Sequence, residues 1–186
     1  MAIFGLKSGA CPENAQNEIS KERNCSGEAW GEIIPIVSEK LACSESGKDR
    51  IGGRLVVAAS SEDRKVVMVL EDNGNRERMK GQHKYIHGRT PQGELLIVLP
   101  ELPDNSHLDM LNALNSQIGM KLQYPTGGYI RFYKRGRAMF KSHVFRVYGG
   151  SSTCESGDNK YVGNLLKEAV SDMFPWAEVT ADNKTL

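Results

Sequence analysis

Six cations and no carboxylate fall between Tyr129 and Gly149: Arg131, Lys134, Arg135, Arg137, Lys141 and Arg146. The flanking residues alternate and are rich in aromatic and β-branched types, joined by Lys134-Arg135-Gly136-Arg137, which reads as a β-hairpin over 129–148 with Gly at a left-handed turn position. A turn centred on Arg135-Gly136 sets Lys134 opposite Arg137, a like-charge pair that costs stability unless an anion lies nearby. The same register gathers Tyr129, Arg131, Tyr133, Phe140 and Arg146 on one face. Guanidinium groups there would contact phosphates while Tyr129 and Tyr133 stack on bases. The plainer alternative is a solvated hairpin tip whose rings face the core and whose cations keep a sheet edge soluble.

A second basic stretch, the connector 76–89, holds Arg76, Arg78, Lys80, Lys84 and Arg89 against the single acid Glu77. Net charge is +4 over 76–92 and +6 over 129–149, but −3 over each of 1–75, 93–128 and 150–186, for a total of +1. Two basic stretches in an otherwise acidic chain are expected to share a face if they serve a charged partner. His83 and His87 also lie here, but a four-residue spacing suits two metal ligands only on a helix. Gly81, Ile86 and Gly88 argue against one, so no metal site is expected.

The loop from Gly149 to Gly157 runs into the last helical pattern and carries Cys154. A thiol near a helix N-terminus, with His143 or His107 as base, is the arrangement of a cysteine nucleophile. Cys154 stands at least four residues before the first helical turn, and no Gly-x4-Gly-Lys-Ser/Thr motif is present, so a linker is the favoured reading. Asp49 with Asp63-x-Lys65 resembles a nuclease metal site only faintly, because Asp63 falls in a turn. No cofactor signature appears, and none is expected.

The elements that must hold these residues follow from periodicity. Trp30, Ile33, Ile34, Val37 and Leu41 lie on one helical face, with Ser26 as N-cap and Pro35 as either a kink or the first helical residue. Arg54 to Ala59 and Lys65 to Leu70 predict a hairpin, Lys84 to His87 a short strand, and Glu94 to Leu99 a strand buried on both faces. Gly88 to Gly93 and Pro125 to Gly128 read as breaks. Ser106 with Asp109 predicts a capped helix carrying a stripe of Leu108, Leu111, Leu114 or Asn115, and Ile118. Asp158 caps a final helix with Tyr161, Val162, Leu165, Leu166, Ala169, Val170, Met173 and Phe174 inward.

With 186 residues, 39% hydrophobic and 25% charged, the chain is long and apolar enough for one folded domain. We read 1–26 as a loosely ordered lead-in and 27–186 as a single α+β domain: an antiparallel sheet built from hairpins with about three helices on one face. No apolar run approaches the ~20 residues of a membrane span. Four cysteines without a Cys-x-x-Cys pair, and no secretory signal pattern, suggest reduced thiols in the cytoplasm.

The leading expectation is a non-catalytic nucleic-acid-binding protein using the basic-aromatic hairpin and the basic connector, DNA or RNA unresolved. The alternative is an interaction or adaptor factor whose hairpin docks on an acidic protein, with Leu95 to Leu99 or the last helix supporting a homodimer. A cysteine-dependent enzyme using Cys154 is the weaker alternative.

Overall fold

The computed structural model describes Trp30 and residues 33–43, 46–71, 81–102, 104–119, 121–135 and 142–182. The lead-in 1–26, Ser26 included, lies outside them. Three hairpins form the frame. β2 (Arg54–Ser60) and β3 (Arg64–Glu71) pair as expected, with Ser60 opposite Lys65. β4 (Gly81–Thr90) and β5 (Gly93–Pro100) close around Pro91 and Gln92, and β6 (Gln123–Arg135) pairs with β7 (Ser142–Tyr148). Short strands β1 (Gly47–Ile51), β8 (Glu155–Ser156) and β9 (Ala177–Ala181) complete one sheet in the order β1-β2-β3-β5-β4-β6-β7-β9, with β8 beside the start of β6.

The sheet is mixed and not wholly antiparallel, because β3 runs parallel to β5, β6 to β8 and β7 to β9. The last pair arises because helix α3 (Asn159–Ser171) carries the chain back from the end of β7 to the start of β9, a crossover that only a parallel strand needs. The other described helices are α1 (Ile33–Ala42) and α2 (His107–Ile118). None of the described helices is long and apolar enough to cross a membrane.

The helices do not share a face. Trp30, Ile34 and Val37 of the α1 region pack with Met110 and Leu114 of α2 over Val67, Ile86 and Ile97. On the opposite side Val162, Leu166 and Val170 of α3 pack over Met68, Leu96, Ile130 and Phe145. The strands require this arrangement. Val66 to Leu70 and Leu95 to Leu99 are apolar at consecutive positions, so both faces need cover. The same double burial removes Leu95 to Leu99 as a dimer surface.

Local rules account for the helix ends. Asp109 donates its backbone N–H to Ser106 Oγ at 3.2 Å, and its carboxylate accepts from the Ser106 N–H at 2.8 Å, the reciprocal pairing that frees neither end group. Asp158 caps α3 through the N–H groups of Lys160 and Tyr161. Pro35 is the third residue of described α1 and faces solvent. In α2 Leu111 and Leu114 are buried as expected and Ile118 packs against the core, but Leu108 is exposed and His107 and Met110 are buried in addition.

Two expected breaks are strand. Gly88 to Thr90 continue β4, which shows that the connector 76–89 is not a loop over its second half. Pro125 to Gly128 lie within β6, because close packing selects the glycines. A Cβ on Gly127 would stand 2.8 Å from His107 Cδ2, and one on Gly128 2.7 Å from the Tyr85 ring. These positions demand the absence of a side chain, not a turn.

Candidate functional site

The pairing of β6 with β7 is Tyr129 with Tyr148, Ile130 with Val147, Arg131 with Arg146, Phe132 with Phe145, Tyr133 with Val144, Lys134 with His143 and Arg135 with Ser142. Residues 136–141 lie outside the described residues, so Arg137, Phe140 and Lys141 do too, as do Arg76, Arg78 and Lys80. For Lys134 and Arg135 only the backbone is described. The expected juxtaposition of Lys134 with Arg137 is replaced by the pair Arg131 and Arg146. The turn lies further along the chain than assumed, but the register moves by an even number of residues. Face assignments therefore survive, since side chains alternate with period two.

Ile130, Phe132, Phe145 and Val147 point to α3. The other face bears Tyr129, Arg131 and Tyr133 of β6, Arg146 and Tyr148 of β7, and Gln82 of β4, paired with Arg131. It continues the side that α1 and α2 cover over β2 to β5. Arg131, Arg146 and Gln82 are exposed and the three tyrosines half-buried.

These side chains form a ladder across the strands. The Arg146 guanidinium lies 5.8 Å from the centre of the Tyr148 ring. Tyr148 stacks on Tyr129 at 5.9 Å and 28°. Tyr129 meets His107, the first residue of α2, edge to face at 5.1 Å and 80°. Tyr148 Oη donates to Gln82 Oε1 at 2.8 Å, fixing one ring, and His107 Nε2–H donates to the Gly128 carbonyl at 2.9 Å, fixing the far end. Burial lowers the His107 pKa, with the Gly128 hydrogen bond opposing, so its imidazole is held neutral. Burial raises the Tyr129 and Tyr148 phenols, which stay protonated as hydrogen-bond donors.

The two arginines differ. Arg146 donates from Nε at 2.9 Å and from Nη2 to Asp182 Oδ2, just past β9. That contact raises its pKa, the hydrogen bond being the main cause. Arg131 ion-pairs with no carboxylate of the described residues and faces Arg146 directly. Among the described residues this like-charge pair has one carboxylate, Asp182, for two guanidinium groups.

Lys84 and Arg89 are not loop residues. Lys84 is buried on β4 beside Tyr129, and its ammonium donates to the Asn105 carbonyl and lies 3.9 Å from Glu101. It anchors the entry to α2, and its charge, read from the sequence as part of a basic loop, is buried beside Glu101. Arg89 is exposed at the far end of β4, opposite Glu94. The two basic stretches therefore meet at Lys84 and Gln82 and not at Arg89. A cleft of about 590 Å³ opens at the Tyr129 end of the ladder, walled by Lys84, Glu101, Asp104, Asn105, Ser106, His107, Ser152 and Thr153.

At Cys154 burial disfavours the thiolate, while hydrogen bonds from Ser151 and Thr153 work the other way. Its thiol pKa is raised, chiefly by burial, and its N–H is held by Ser151 Oγ at 2.8 Å. Among the described residues no cluster of three or more His, Cys, Asp or Glu can hold a metal. His83 and His87 sit on a strand, where burial lowers both pKa values, His83 to about 4.

Tyr148, Gln82 and His107 complete the ladder; the sequence singled out only His107, and as a base for Cys154 instead of a ring in this stack. Tyr148 was within reach once the register was known, because it stands opposite Tyr129. His107 and Gln82 join through tertiary contact, for which the sequence carries no local sign. No protein-family model matches the chain, and comparison with curated protein sequences returns no relative.

Proposed function

We propose that this protein binds single-stranded nucleic acid along the face of β6 and β7, without catalysing a reaction on it. The observation that carries the reading is the juxtaposition of exposed Arg131 with Arg146, flanked by the stacked rings of Tyr129 and Tyr148. A phosphate between the guanidinium groups would relieve their repulsion, and unpaired bases would extend the ring stack. A duplex hides its base faces, so rings on a sheet favour a single strand. The adjoining cleft carries Lys84 but also Glu101 and Asp104. Such a balance suits a neutral, hydrogen-bonding base edge better than a phosphate.

Photocrosslinking tests the location. A short oligouridine substituted with 4-thiouridine is irradiated with the protein and the adducts are mapped by mass spectrometry. Adducts within 129–133 and 144–148 are expected. Adducts confined to other segments, or none above a non-photoreactive control, would overturn the reading. In the second case an acidic protein becomes the better partner for the same cations.

A further inference from the structure

The cleft at the Tyr129 end of the ladder, about 590 Å³, is the size of a small-molecule site and holds two polar groups that the described fold leaves unused. Asn105 is the first. It is only 5% exposed, yet its hydrogen bonds among the described residues are main-chain ones: its N–H donates to the Leu102 carbonyl at 3.5 Å, and its own carbonyl accepts from the Lys84 ammonium. The side-chain carboxamide has no partner among those residues, is not sealed from solvent, and lines the cleft. Amides this deep in a fold are ordinarily bonded, so one left over on a cleft wall calls for a cause.

Glu101 is the second. Its side chain is 33% exposed, and its ion-pair partner, Lys84 Nζ, stands 3.9 Å from Oε1, beyond hydrogen-bond length. The Glu101 N–H donates to the Gln82 carbonyl at 3.2 Å, which sets the residue beside the ladder. Burial is the main cause of the raised Tyr129 phenol pKa and the Glu101 charge is the second, so the carboxylate lies within electrostatic reach of the ring stack. Lys84 thus ties residues 101 and 105 to one point on β4, and carboxylate and carboxamide share one cleft. Asp104 stands on the same wall, and the two acids together repel a phosphate from it.

The edge pattern of the bases then discriminates. A carboxylate offers two acceptor oxygens side by side and matches a ligand with two adjacent N–H donors. Guanine carries such a pair, N1–H next to the N2 amine, with O6 beyond them as acceptor for an amide N–H. Adenine and cytosine set a ring-nitrogen acceptor beside the exocyclic amine, and uracil flanks N3–H with two carbonyls. Each of these turns a lone pair toward the carboxylate.

Resting on the reading of the β6–β7 face as a single-strand site, we infer that the adjoining cleft selects guanine: Glu101 accepts from N1–H and the N2 amine, Asn105 donates to O6, and the base lies against the Tyr129 ring.

Fluorescent oligouridines carrying one central guanosine, inosine, adenosine or cytidine, and the plain oligouridine, are titrated into the full chain. Guanosine should tighten binding about tenfold over plain oligouridine, as expected of one bidentate contact. Inosine lacks the N2 amine and should lose most of that gain, and adenosine and cytidine should show none. Glu101→Gln should bring the guanosine-to-uridine ratio to about one, whereas Arg131→Ala should weaken every oligomer and keep the ratio. Equal affinity for the guanosine and uridine oligomers in the native chain, inosine binding as tightly as guanosine, or a ratio that survives Glu101→Gln would overturn the guanine assignment and leave the reading of the face in place. Binding of none of the oligomers would remove both. The inosine comparison uses the native chain, so it decides the matter even if Glu101→Gln fails to fold.

Discussion

Arg131 and His83 show how single side chains in this fold answer to their surroundings. Arg131 stands opposite a second guanidinium that Asp182 neutralises in part, an arrangement that by itself works against folding. His83 is buried on the α3 side of β4, its Nδ1–H donating to the Gly81 carbonyl at 3.2 Å and its Nε2 without a hydrogen-bond partner among the described residues. Desolvation drives its pKa from 6.5 to about 4, with the Gly81 bond opposing. The imidazole is thus neutral when folded and protonates more readily when unfolded. Its contribution is fully present above about pH 6.5 and is lost as the pH falls toward 4, a total of about 3 kcal/mol. His83→Leu should remove roughly one proton's worth of slope from the urea-unfolding free energy in that window. A slope equal to that of the native chain would contradict this account of His83.

At the scale of elements, period-two reasoning proved stronger than turn-finding. The hairpin 129–148 was legible, and its faces were legible despite a misplaced turn, because an even shift in register preserves parity. The same alternation rule, applied to Val66 to Leu70 and Leu95 to Leu99, contained the sign that helices must cover both sides of the sheet. β1 and β9 were not legible: Gly47 to Ile51 has one apolar residue, and Ala177 to Ala181 is short and small. They are strands because β2 and β7 offer them pairing edges, a cause that lies outside their own sequence. Pro125 to Gly128 misled for a different reason. Glycine there answers to Tyr85 and His107 overhead, and a reader of one sequence sees only a breaker. Gly128→Ala should drive its methyl into the Tyr85 ring and strain the 2.7 Å bond from Tyr85 Oη to Asn159 Oδ1. A loss of about 1–3 kcal/mol in thermal or urea unfolding is expected, as for other overpacked interiors. An unchanged midpoint would mean that the ring moves aside freely.

Across the whole molecule, two cores on the two sides of one sheet leave β6 and β7 in different surroundings on their two faces. One face is sealed by α3. The other begins under α2 at Tyr129 and passes outward to Arg131 and Arg146, so the rings are held firmly at one end while the cations meet solvent. The sequence carried the cations and rings of this face but not its limits, because Lys84 looks basic in a list of residues and is buried in the fold.

Binding of fluorescent single- and double-stranded oligonucleotides at ~50 and ~200 mM salt, for the native chain and Arg131→Ala, tests the central claim most directly. The account predicts tighter binding of single strands, a steep loss with salt, and a log–log slope shallower by about 0.7 in Arg131→Ala, as befits one lost phosphate contact. No binding at the lower salt, or a slope unchanged by the substitution, would contradict it.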